Sequence, residues 1–88
     1  MLKNENIFKS RIGIWVLNFN GQWMITLDQL PEGYDDFHSV EKNVMRKVPK
    51  QDQTRIEFDS ESSQFVAYAP SRESALKLAT HMEKLLSV

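Results

Sequence analysis

Cysteine is absent from the sequence. That excludes a disulfide framework, a thiolate zinc site and a thiol nucleophile, and it fits a reducing cytoplasm. Glycine and proline are scarce, three of each. Gly13, Gly21 and Gly33 are scattered, so none of the glycine patterns G-x-x-x-x-G-K-S/T, G-x-G-x-x-G or G-x-S-x-G occurs. No apolar run approaches the length of a membrane span. The opening Met1 to Lys9 lacks the apolar core of a signal peptide, and Leu2 stands where a myristoylated chain carries Gly. Neither sign of charge dominates: the net charge is −1 and the isoelectric point about 6.1, which argues against indiscriminate nucleic-acid binding.

Catalytic types are equally thin. The two histidines are His38 and His81. His38 has Asp35, Asp36 and Ser39 beside it, but a base and nucleophile are usually brought together from separate elements. One imidazole with two carboxylates is also a poor transition-metal site. Capping and loop solvation account for these residues, and His81 reads as a surface or boundary position. The sequence thus points away from an enzyme and implies no cofactor, no membrane and no small-molecule substrate.

What is present is enough for one folded domain of 88 residues, with 41% hydrophobic and 26% charged side chains. Its organising stretch is residues 11–28, where two runs rich in β-branched and aromatic residues flank Asn20-Gly21. That dipeptide suits a type I′ turn, which needs positive φ at both central positions. A two-residue loop pairs Phe19 with Gln22, Leu17 with Met24, Val16 with Ile25 and Ile14 with Leu27. Ile12, Ile14, Val16, Trp23, Ile25 and Leu27 then share one face, and Arg11, Trp15, Leu17, Phe19, Met24 and Thr26 the other.

Around this hairpin, residues 1–9 read as a partly disordered start whose last residues join the sheet edge. Residues 29–50 form a loop and helix insertion. Asp35 or Asp36 caps a helix whose stripe is Phe37, Val40, Val44, Met45 and Val48, ended by Pro49; the β-branched valines would also suit a strand or a long loop with one turn of helix. A second hairpin follows, Thr54 to Phe58 and Gln64 to Ala69. With Ser60 to Ser63 as its loop, Phe58 pairs with Phe65 and Ile56 with Ala67. Pro70 stops the strand, Ser71 caps a final helix, and Ala75, Leu76, Leu78, Ala79, Met82, Leu85 and Leu86 form its apolar stripe. The expected fold is α+β: a four-stranded, mostly antiparallel sheet in the order β-β-(α)-β-β-α, with the C-terminal helix packed on one face.

The opposite face carries the functional clue. It gathers Arg11, Trp15, Leu17, Phe19, Met24, Thr26, Arg55, Val66 and Tyr68, too apolar a set for a plain solvated surface. Beside it, Lys42 to Arg55 concentrates Lys42, Arg46, Lys47, Lys50 and Arg55 against a single Asp52. Three coverings are open. The middle helix folds over the face; or a protein partner or second copy docks there, since Trp, Tyr, Phe, Met and Arg anchor interfaces; or nucleic acid stacks on Trp15 and Tyr68, with Arg11, Arg55 and the basic segment on phosphates. The leading expectation is a small cytoplasmic protein-binding module that occupies a partner's surface, as a prokaryotic or phage regulator would.

The Trp-bearing hairpin, with Trp15 and Gly21-Gln22-Trp23, and the helix start Glu73 to Ala75 resemble the plan of AP2-type and phage-integrase arm-binding domains. That resemblance implies a sheet laid into the DNA major groove and supplies the alternative function. The insertion between the hairpins and the acidic isoelectric point depart from that plan.

Overall fold

The computed structural model describes residues 5–9, 12–19 and 21–86. Among them the chain forms β1 (Glu5–Lys9), β2 (Ile14–Phe19), β3 (Gln22–Leu27), α1 (Phe37–Lys47), a 3-10 turn (Lys50–Gln53), β4 (Glu57–Phe58), β5 (Phe65–Ala69) and α2 (Arg72–Leu86). The strands make one antiparallel sheet in the order β1-β2-β3-β5-β4. The expected α+β fold is present, and β1 adds a fifth strand at the edge.

Hairpin β2–β3 has the register that a two-residue loop dictates: Phe19 opposite Gln22, Leu17 opposite Met24, Val16 opposite Ile25 and Ile14 opposite Leu27. Gly21 has φ +84°, the left-handed backbone that glycine adopts without strain. Asn20, the other half of that turn, lies outside the described residues. β3 continues the sheet through Ile25 opposite Ala67 and Leu27 opposite Phe65. β1 pairs with β2, but its register shifts between Asn6 and Phe8, so one edge of the sheet carries a bulge.

α2 forms as expected. Ser71 accepts a hydrogen bond at Oγ from the Ser74 N–H, 3.1 Å, satisfying one of the orphan donors of the first turn. The helix buries Ala75, Leu78, Ala79, Met82 and Leu86. α1 is capped by Asp36, whose Oδ1 accepts from the Ser39 N–H and hydroxyl, both at 2.9 Å. These bonds, the backbone one foremost, hold the Asp36 carboxyl below its ordinary value. At the other end Pro49 stops the helix, and Gln53 Nε2 donates to the Met45 and Val48 carbonyls at 2.8 and 2.7 Å.

α1 lies in the same layer as α2. Its Phe37, Val40 and Val44 enter one core with Ile14, Val16, Ile25, Leu27, Phe65 and Ala67 of the sheet and Leu78 and Met82 of α2. The covering of the outer face by the middle helix is therefore not what this fold does. Two further bonds hold α1 on the inner side: Ser60 N–H donates to Glu41 Oε1 at 3.1 Å, and Phe37 N–H to the Ser62 carbonyl at 3.4 Å. Met45, placed in the buried stripe by its spacing, is 45% exposed.

The second hairpin differs from expectation. Its first strand is Glu57–Phe58 and not Thr54 to Phe58. Phe58 pairs with Ala67, a shift of two residues from the expected Phe65, and Ile56 is outside the ladder. Two local features cause this. Residues 50–53 wind into the 3-10 turn, and Arg55 adopts φ +62°, breaking the extended run before Ile56. On the turn side, Glu61 bridges Gln64, while the Ser60 hydroxyl takes the Val66 N–H at 3.1 Å. Because the shift is even, facing is preserved. Phe58 and Phe65 still meet edge to face on the core side, with centroids 6.2 Å apart.

Candidate functional site

With both helices on one side, the opposite side of the sheet presents two cross-strand rows. By register one runs Lys9, Trp15, Thr26, Val66; the other Asn6, Leu17, Met24, Tyr68, Glu57. Directly opposed side chains on adjacent strands lie about 4.5–5.5 Å apart at Cβ, so each shields its neighbours. That accounts for the exposures: Trp15, Leu17, Met24, Val66 and Tyr68 are half-buried, and the small Thr26 between Trp15 and Val66 is only 5% exposed. The rows make a largely apolar platform with one aromatic in each. No described helix covers it. Arg55 and Glu57 are exposed and border a shallow cleft beside Tyr68, putting opposite charges together at that end.

The other expected residues divide between places. Arg11 lies outside the described residues, and Phe19 is placed by its backbone register opposite Gln22. Lys42, Arg46, Lys47 and Lys50 are all exposed, but they belong to α1 and the turn after it, in or next to the inner helical layer. Arg55 apart, the basic segment therefore does not share a surface with the aromatic platform. Nor do the four cations form one patch. Lys42 and Arg46 line an open groove of about 800 Å³ between α1, the loop at Glu32–Tyr34 and the end of α2, whereas Lys47 and Lys50 do not line it.

Two arrangements escaped the sequence. In the groove, Asn43 Nδ2 donates to the Tyr34 hydroxyl at 2.6 Å, and Arg46 Nη2 donates to Asn43 Oδ1 at 2.9 Å. The i, i+3 spacing of Asn43 and Arg46 could have suggested their contact. Tyr34, nine positions before Asn43, gave no such signal. On the other flank of α2, His81 Nε2 meets Asp52 Oδ2 at 2.9 Å. This pair joins the 3-10 turn to α2 and gives His81 a tertiary tie at the boundary of the core. Among the described residues, no group of three or more His, Cys, Asp or Glu could hold a metal ion. Among them, too, no helix is long and apolar enough to cross a membrane.

Chemically, the platform offers contact area and aromatic faces, with charged residues at the ends of its rows. The groove offers two exposed cations, of which Arg46 is hydrogen-bonded to Asn43. The likeness to AP2-type and integrase arm-binding domains rests on plan alone: comparison of the chain with protein-family models, with curated proteins and with solved structures finds no match.

Proposed function

We propose that this chain is a non-enzymatic binding module of the cytoplasm, which acts by laying the outer sheet face on a protein partner and occupying that partner's surface. The observation that carries the reading is the pair of cross-strand rows, Trp15-Thr26-Val66 and Leu17-Met24-Tyr68, left on the side away from both helices. Trp and Tyr in a shielded apolar ring are the residue types that dominate binding energies at protein interfaces. Nucleic acid is the weaker reading. Stacking on Trp15 and Tyr68 needs phosphate-binding cations on the same side; Arg55 borders the Tyr68 cleft and Lys9 stands opposite Trp15 in register, but the four cations of α1 and its following turn lie in or next to the helical layer.

The test compares capture by the wild-type chain with capture by Trp15→Ala and Tyr68→Ala, after melting curves have established that both variants fold. Each should weaken the captured partner by about 2 kcal/mol or more, as interface aromatics do. Sedimentation of the purified chain identifies the case in which the partner is a second copy. A partner retained equally by wild type and both folded variants refutes the sheet face. Salt-sensitive retention of nucleic acid through Trp15 would transfer the function to the alternative.

A further inference from the structure

A groove lies between α1 and the end of α2, apart from the outer sheet face. We infer that it receives an acidic, leucine-like peptide segment, with a carboxylate clamped by Arg46 and Lys42. Lys42 and Arg46 are one helical turn apart and line the same groove. Neither makes an ion pair with a described residue, and Lys42 acts only at longer range on the Asp36 carboxyl. Arg46 is also held in place. One guanidinium nitrogen is engaged by Asn43, and Asn43 is in turn anchored to the Tyr34 hydroxyl. Fixing one arm of the fork lowers the ordering cost of presenting the other N–H groups to a planar acceptor. A carboxylate is such an acceptor, and it can take two parallel bonds from the fork.

The remaining walls narrow the ligand. Leu85 and Leu86 line the α2 side, which suits an aliphatic side chain next to the acidic one. Glu32 lines the loop side, so the groove is not uniformly cationic. A phosphate backbone, carrying a charge at every step, would meet Glu32 and the leucines badly. A peptide meets each wall with a different group: carboxylate toward α1, apolar side chain toward α2, and a backbone N–H or a cation toward Glu32. Successive side chains of an extended segment point to opposite sides, so one strand of alternating acidic and aliphatic residues addresses both helices at once.

The test is an amide-resonance titration of the full chain with a capped pentapeptide of alternating glutamate and leucine. Its glutamine-and-leucine counterpart, inorganic phosphate and a short DNA duplex serve as separate arms. The acidic peptide should shift the amides of Gly33, Ser39, Asn43 and Leu86 and saturate at about 0.1–1 mM, the range expected of a few contacts. Arg46→Gln should weaken binding about tenfold or more, by removing the charge-assisted fork. Arg46→Lys should weaken it several-fold, because the charge stays and the fork goes. Lys42→Gln should weaken it several-fold by removing the second exposed cation. Trp15→Ala should leave the titration unchanged, so failure at the sheet face and failure at the groove read out separately. Equal binding of the glutamine peptide, wild-type affinity in Arg46→Gln, or shifts confined to the sheet overturn the inference. Tighter binding of phosphate or duplex at the same amides overturns it as well.

Discussion

Replacing the same residue type on the two sides of the sheet tests the layer assignment directly. Leu78 of α2 is fully buried, in one core with Val16, Ile25 and Met82, whereas Leu17 is half-buried in the outer rows. Leu78→Ala removes the same atoms as Leu17→Ala but leaves a cavity enclosed on all sides, and such changes cost about 2–5 kcal/mol. Leu17→Ala leaves a dent open to water, and solvent fills it. Only part of the transfer term is lost, about 1 kcal/mol at ~25 cal/mol per Å² of apolar surface. A domain of this size shifts its melting temperature by about 4–8 °C per kcal/mol, so Leu78→Ala should lower it by at least about 10 °C and Leu17→Ala by half that or less. Urea unfolding followed by far-UV circular dichroism, with an unchanged slope in both variants, gives the free-energy difference. Equal losses would mean that the outer face is covered as completely as the inner one. A Leu78→Ala loss within surface-like values would mean that α2 does not dock as described.

Two further perturbations address local features. Asp36 has its carboxyl lowered from the ordinary 3.8 by the Ser39 bonds, so its contribution is present above that value and is lost as pH falls through the folded-state value. Asp36→Asn keeps a capping oxygen without a titrating one. Acid titration of stability should therefore show a component below the ordinary carboxylate range in the wild type that is missing in Asp36→Asn; superimposable profiles refute the linkage. Gly21 has φ +84° and open space around it, so the cost of Gly21→Val is purely backbone strain, about 1–3 kcal/mol, while Gly21→Asn should be close to neutral. Equal thermal stability of the two variants would contradict that backbone assignment.

The hairpin at residues 11–28 was legible because its information is local. A two-residue turn fixes the register, and the alternation fixes the faces. α2 was legible for the same reason, through Ser71 and its broad apolar stripe. The layer of α1 was not. A helical stripe says that one side is buried but not which side of the sheet buries it, and the bonds that decide, Glu41 to Ser60 and Phe37 to Ser62, join residues far apart in sequence. β4 misled because Thr54 to Phe58 alternates convincingly; the left-handed Arg55 has no compositional mark. At the candidate site, the membership of Trp15, Leu17, Met24, Val66 and Tyr68 in one face was legible, whereas the Tyr34-Asn43-Arg46 network exists only once the loop folds against α1.

The two ends of the sheet have a consequence for growth into polymers. β1 presents a kinked rim where its pairing with β2 slips, and β4 offers only Glu57–Phe58 before the backbone turns at Arg55. Neither rim is a long straight template onto which another strand can add. Edge-to-edge addition, the route to fibres, is therefore blunted at both ends. Concentrated solutions of this chain should thus not thicken into fibrils by strand addition.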